Sequence, residues 1–293
     1  MNEPRLEHVA CLDAAGLHRM AYWEWGEREN PRVLVCVHGL TRQGRDFDTL
    51  ARALAGHYRV ICPDVVGRGR SERLLDPMGY QIPTYVADMV TLLARLAVRE
   101  VDWVGTSMGG LIGLGLASLR DRAGAALVRR LVLNDVGPSI RAEAVQRIGA
   151  YVGLPQRYAT IEEAADYLQS ISRGFGPHSR EQWLALTRPQ LVADGDGWVS
   201  HYDPRIGLPF KAVTPEFAAA GEALLWQRYD AITCPTLLIR GAESDLLAHD
   251  TALAMTQRGP RARLVELPGI GHAPTLVAED QVALVRDFLV DGP

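Results

Sequence analysis

Cysteine is scarce in this 293-residue sequence: Cys11, Cys36, Cys62 and Cys234 are the only four, and no two stand at C-x-x-C spacing. The absence of that spacing excludes the common metal and thiol-redox motifs. It leaves small, buried, apolar cysteines in a reducing compartment, with the cytoplasm as the expected location. Excess positive charge is also missing. Lys and Arg number 31 against 35 Asp and Glu, a net −4, which argues against nucleic acid as a partner because phosphate binding needs a cationic face. Long apolar runs are lacking as well. The Gly-laced stretch from Met108 to Ala117 falls well short of the roughly 18 residues of a membrane helix. Residues 1–8 have no apolar h-region, so no secretory signal is expected in the chain as it stands.

Cofactor signatures are absent in the same way. There is no H-E-x-x-H or P-loop string, and Gly67-Arg68-Gly69 lacks the third glycine of a dinucleotide fingerprint. Asp194-Gly195-Asp196-Gly197-Trp198 begins like a calcium loop but puts Trp198 at a ligand position, so it reads as a turn. No metal and no organic cofactor is expected.

What is present is ordinary globular composition, 47% hydrophobic and 23% charged. A chain of this length buries roughly three quarters of its unfolded surface. Short β-type runs recur at Val33–Val37, Tyr58–Cys62, Val101–Val104, Arg130–Leu133, Thr236–Ile239 and Ala262–Leu267. Helical patterns separate them. One is capped by Thr84, with Val86, Met89, Val90, Leu93, Leu96 and Ala97 on its apolar stripe and Asp88 facing away; another runs from Ala278 to Leu289. Strands alternating with helices imply parallel pairing through right-handed crossovers. Leu6–Leu12 and Met20–Trp25 read as an antiparallel hairpin at one edge. The rhythm stops between Pro138 and about Ala231, where helical patches and Gly-Pro punctuation hold Trp183, Trp198 and Trp226 with no clear strand. The expected organisation is therefore a core of residues 1–137 and 231–293, with residues 138–230 as a helical cap over a site.

The strongest chemical signal is Gly105-Thr106-Ser107-Met108-Gly109, set between a strand and a helix. A serine at so tight a turn projects its hydroxyl above the sheet, and glycines on either side let strand and helix approach. The helix N-terminus offers N–H groups to a developing negative charge. The serine needs a base, and His272 follows the last strand, on the sheet edge where open α/β folds bind ligands. His249, His8, His18, His57, His178 and His201 lack that placement. The base needs a carboxylate. Asp245, past the penultimate strand, is preferred because it completes the chain order Ser, Asp, His; Asp135 and Glu243 are its rivals. Two oxyanion donors are expected, the N–H groups of Met108 and of Leu40 in His38-Gly39-Leu40.

Together these motifs resemble the α/β-hydrolase superfamily over essentially residues 20–290. Asp64-Val65-Val66-Gly67-Arg68-Gly69-Arg70-Ser71 is similar to that superfamily's Asp-x-x-Gly-x-Gly-x-Ser loop. The resemblance implies an eight-stranded, mostly parallel sheet flanked by helices, a helical cap, and Ser107, Asp245 and His272 as triad. His38-Gly39-Leu40 departs from the His-Gly-Gly-Gly run of esterases for bulky tertiary alcohols. Ser200-His201-Tyr202-Asp203-Pro204-Arg205-Ile206 resembles a segment of bacterial esterases, some of which act on aliphatic polyesters. The expected function is a serine hydrolase of carboxylic esters working through an acyl-enzyme, on a small or oligomeric ester. His38, Trp183, Trp198, Tyr202 and Phe210 are substrate-binding candidates. C–C bond hydrolysis, lactone hydrolysis and cofactor-free haloperoxidation use the same triad and stay open, as do a non-catalytic receptor and a homo-oligomer.

Overall fold

The computed structural model describes residues 3–154, 156–211 and 214–292, without the side chains of Phe210 and Pro215. Eight strands form the main sheet: β1 (Arg5–Asp13), β2 (Gly16–Trp25), β3 (Val33–Val37), β4 (Arg59–Pro63), β5 (Val101–Thr106), β6 (Val128–Asn134) and, later in the chain, β10 (Thr236–Gly241) and β11 (Arg263–Leu267). Their spatial order is β1-β2-β4-β3-β5-β6-β10-β11. The hairpin β1–β2 and the β2–β4 pair are antiparallel, and the pairs from β4 to β11 are parallel. This is the expected α/β-hydrolase architecture.

The period-2 geometry of a strand explains why the runs are apolar throughout. In β3, Val33, Val35 and Val37 enter the core on one face of the sheet, and Leu34 and Cys36 the core on the other. The helices α1 (Asp48–Leu54) and α10 (Glu279–Val290) cover the second face. The first is covered by α2 (Ile82–Leu96) and α3 (Met108–Ala117). Cys11, Cys36, Cys62 and Cys234 are all buried as free thiols.

Two local expectations fail for identifiable reasons. Thr84 does not cap α2: the helix starts two residues earlier, after Gln81, with Pro83 in its first turn, where a missing N–H costs nothing. Its buried face is Tyr85, Asp88, Met89, Leu92, Leu93 and Leu96, and Val90 is exposed. Asp88 turns inward because the hairpin supplies a partner. His18 Nε2 lies 3.1 Å from both carboxylate oxygens, and this contact raises the His18 pKa although burial opposes it.

Between β6 and β10 runs an insert: α4 (Ala142–Tyr151), β7 (Arg157–Tyr158), α5 (Ile161–Ile171), α6 (Arg180–Thr187), β8 (Leu191–Asp194), β9 (Gly197–Ser200), α7 (Leu208–Lys211) and α8 (Pro215–Asp230). The sequence shows no clear strand in the insert, yet it carries a three-stranded antiparallel sheet of order β7-β9-β8. Its strands are two to four residues long, too short for periodicity to register. The insert is fastened to the Asp64–Ser71 loop. Gly69 N–H donates to the His201 carbonyl (2.9 Å), Asp203 N–H donates to the Gly67 carbonyl (2.7 Å), and the Tyr80 hydroxyl donates to the buried Asp203 carboxylate (2.7 Å). The segment from Ser200 to Ile206 thus holds Tyr202 in a fixed place.

Candidate active site

Ser107 stands between β5 and α3 at φ 53° and ψ −116°, a left-handed conformation that is strained for a residue with a Cβ. The flanking glycines explain how the turn closes. A Cβ on Gly105 would collide with the Gly109 carbonyl oxygen, and one on Gly109 with the Val37 carbonyl oxygen.

The hydroxyl of Ser107 is 2.9 Å from His272 Nε2, and His272 Nδ1 is 2.6 Å from Asp135 Oδ2. Asp135 is fully buried and its carboxylate is fully engaged. Oδ1 accepts from the Gly241 N–H (2.9 Å), and Oδ2 also accepts from the Ser244 hydroxyl (2.6 Å). With the carboxylate on Nδ1, the proton of a neutral imidazole sits there and Nε2 is free to accept from the serine.

The preferred acid, Asp245, is corrected by this geometry. It is 52% exposed and pairs with Arg147 at 2.7 Å, away from His272. Glu243 is exposed too. The physical reason is register. Asp135 is the first residue beyond β6, held at φ 54° with its N–H on the Ile239 carbonyl, so its side chain stays at the sheet edge. Asp245 lies four residues beyond the end of β10, where the loop has already turned outward. The part of that loop which does reach the site is Ser244, as a donor.

Met108 opens α3, so its N–H is among the helical donors with no partner inside the helix. The peptide of Gly39 and Leu40 is oriented by His38. Val65 N–H donates to His38 Nε2 (3.0 Å), which leaves the proton on Nδ1, and Nδ1 donates to the Gly39 carbonyl (2.7 Å). In a trans peptide the N–H points opposite to the C=O, so the Leu40 N–H is turned away from His38. Burial keeps His38 neutral, pushing its pKa down to about 3.

Arg68, from the Asp64–Ser71 loop, is a residue whose role the sequence did not announce. Fully buried, it donates through Nε to the Leu40 carbonyl (2.9 Å), through Nη1 to the Tyr85 hydroxyl (3.0 Å) and through Nη2 to the Met108 sulfur (3.6 Å). One guanidinium therefore braces both expected oxyanion residues. Asp64 holds the same loop, accepting from Gly44 N–H and Arg70 N–H (2.8 Å each), and its burial raises its pKa to about 6.

Above the serine lies a cavity of about 200 Å³. Gly39, Leu40, Ser107 and His272 line its floor; Tyr151, Tyr167, Phe175 and Tyr202 from the insert line much of the rest. Of the substrate-binding candidates, Tyr202 and His38 face this space. Trp183 and Trp198 stand behind the wall instead. Trp183 is buried and stacks on Phe175 at 6.1 Å, and Trp198 packs on Tyr158 and Leu191. The Phe210 side chain lies outside what the structure describes. Tyr151, Tyr167, Phe175 and Arg147 also line the cavity, and the sequence does not mark them, because nothing in a helix's sequence tells which face meets a void.

Away from the site, the buried Cys11, His18 and Asp88 offer ligand-type atoms within 4.8 Å of one another. His18 already contacts carboxylates on both sides, Asp88 at Nε2 and Asp13 at Nδ1 (3.3 Å), so the cluster is accounted for as a buried ion-pair network.

Residues 34–285 match the alpha/beta hydrolase family. The chain is 57% identical over 289 residues to a 3-hydroxybutyrate-oligomer hydrolase of Cupriavidus necator, with 97% of each chain covered. It is 28% identical over 257 residues to a pimeloyl-(acyl-carrier protein) methyl ester esterase of Xanthomonas campestris, covering 86% of this chain and 92% of that one. Among solved structures it superposes on an alpha/beta hydrolase from Novosphingobium aromaticivorans with TM-score 0.85 and 36% identity, covering 99% of both chains. No helix among the described residues is long and apolar enough to cross a membrane. Sheet order and sequence similarity agree, and the chain belongs to the α/β hydrolase family as a hydrolase of carboxylic esters.

Proposed function

We propose that the protein hydrolyses short linear oligomers of 3-hydroxybutyrate, with Ser107 as nucleophile, His272 as general base and acid, and Asp135 as the orienting carboxylate. The observation that carries the chemistry is the hydrogen-bonded series Ser107–His272–Asp135 at the floor of the cavity, with Ser107 in a strained turn. The substrate class rests on the similarity to the Cupriavidus hydrolase.

The reaction runs in two halves. As Ser107 Oγ attacks the ester carbonyl, its proton passes to His272 Nε2, and the Asp135 carboxylate stabilises the resulting imidazolium. The carbonyl oxygen becomes an oxyanion that accepts from the Leu40 and Met108 N–H groups; one such donor is worth ~3–4 kcal/mol of barrier in measured cases. Collapse expels the 3-hydroxyl oxygen of the next unit, which takes the proton from His272, and leaves an acyl-serine. Water, deprotonated by His272, then attacks the acyl carbon; the new tetrahedral species releases Ser107 and a free carboxylate. Residues 138–230 act as a cap, their tyrosines and Phe175 giving an apolar roof for methyl-branched units. The four buried thiols suit action in the cytoplasm.

The test is release of 3-hydroxybutyrate from purified dimer and trimer, with an active-site phosphonate to locate the nucleophile by mass spectrometry. The expected result is turnover abolished by Ser107→Ala and a label on Ser107. Turnover that survives Ser107→Ala would remove the mechanism.

A further inference from the structure

We propose that Arg147 anchors the terminal carboxylate of the oligomer, so that the enzyme cuts from the carboxyl end of its substrate. This rests on the reading of the substrate as a 3-hydroxybutyrate oligomer, a molecule that carries one carboxylate, at one end. A cavity that is largely aromatic and apolar has no use for a guanidinium in its lining unless something anionic enters it.

The charged side chains of the cavity lining separate into matched and available groups. Arg42 is matched: Nε and Nη2 grip the Asp46 carboxylate at 2.7 Å each, and Nη2 also donates to the Leu186 carbonyl (3.0 Å). Arg42 and Asp46 both face the cavity and cancel there. His272 is engaged with Ser107 and Asp135. Arg147, on α4 of the insert, is the remaining charge in that lining. Its partner Asp245 is no part of the cavity lining, and both side chains are about half exposed, 46% and 52%. An exposed pair of this kind contributes little, because solvent screens it. Asp245 therefore holds the guanidinium in place at the cavity without saturating it, since arginine has five donors in a rigid fork suited to a second carboxylate. With the carboxylate fixed there and the nucleophile fixed below, the ester at one set distance from the carboxyl end meets Ser107. The fragment that leaves with the 3-hydroxyl is the one bearing that carboxylate.

The experiment compares kcat/KM for the free acid of the 3-hydroxybutyrate trimer with that for its methyl ester, in wild type, Arg147→Gln, Arg147→Lys and Arg147→Glu, each checked for folding by circular dichroism. A charge-assisted hydrogen bond predicts an acid-to-methyl-ester ratio of about 10 or more in wild type. The ratio falls toward one in Arg147→Gln, drops further in Arg147→Glu and is intermediate in Arg147→Lys, which keeps the charge and loses the fork. A wild-type ratio near one, or a ratio that Arg147→Gln leaves in place, overturns the anchor while the proposed function stands. Failure of wild type to cleave either trimer overturns the substrate reading, and the anchor with it.

Discussion

The loops that follow β6 and β10 leave the same edge of the sheet from adjacent strands, and each carries an aspartate. They use it in opposite ways. After β6, Asp135 is fully buried, holds a positive φ and accepts hydrogen bonds from a backbone N–H, a hydroxyl and an imidazole. After β10, Asp245 is half exposed and faces an arginine on the insert. The end of β10 and its loop still serve the first, since Gly241 and Ser244 are donors that fix the Asp135 carboxylate. Under the roles proposed above, the orienting carboxylate needs a single rotamer and a dry, donor-rich seat, whereas the carboxylate beside Arg147 needs neither.

The sharpest way to break this comparison is to remove what it is built around. Ser107→Ala and His272→Ala should each lower kcat by about 10⁴–10⁶, read from initial rates on a chromogenic short-chain ester. Asp135→Asn comes next, at about 10⁴, because the amide would offer a hydrogen to a ring nitrogen that itself needs to donate. If Asp135→Asn kept wild-type kcat, the buried loop would be structural only.

Ser107 and His272 were legible because each sits in a local pattern that geometry leaves little freedom to relocate: a Gly-x-Ser-x-Gly turn between strand and helix, and a loop after the last strand. The acid was not. Both aspartates follow strands at the correct edge, and what separates them is the number of residues past the strand end and the left-handed backbone at Asp135, neither of which composition or periodicity encodes. The insert shows the same limit. Asp194–Trp198 reads as a turn and does join β8 to β9, but its flanks, Leu191-Val192 and Trp198-Val199, are too brief to stand out as strands. Arg68 illustrates a third kind of blindness. The Asp64–Ser71 motif marks its loop, yet only the fold brings its guanidinium to Leu40 and Met108.

A smaller effect separates the buried floor of the site from its rim by pH. His38 is held neutral with its pKa pushed down to about 3, while in the unfolded chain it protonates at ~6.5. As pH falls below that unfolded value, the unfolded state binds a proton that the folded state refuses, so stability declines by ~1.4 kcal/mol per pH unit from this group alone. Asp64 works in the opposite sense, being protonated in the folded state below about 6 and only at lower pH when unfolded. The two slopes partly cancel in wild type between pH 6 and 4. His38→Gln should therefore gain stability relative to wild type as pH is lowered across that window, measured by urea unfolding at each pH. Parallel curves for the two proteins would mean that His38 takes up its proton in the folded state.

The least effect is expected where the sequence first pointed. Asp245→Asn breaks an ion pair between two half-exposed side chains and leaves the Ser107–His272–Asp135 contacts untouched. Loss of such a pair costs ~1 kcal/mol at most, or about fivefold in kcat/KM if all of it reached the transition state. The loss should fall on KM for an anionic oligomer, because an Arg147 side chain without its counter-ion spends part of its time away from the cavity. It should spare kcat, since acylation and deacylation run through His272. A thousandfold fall in kcat for Asp245→Asn would instead place that loop at the imidazole during turnover, and with it would go the distinction between a buried acid that orients the base and an exposed one that steadies the substrate's cationic anchor.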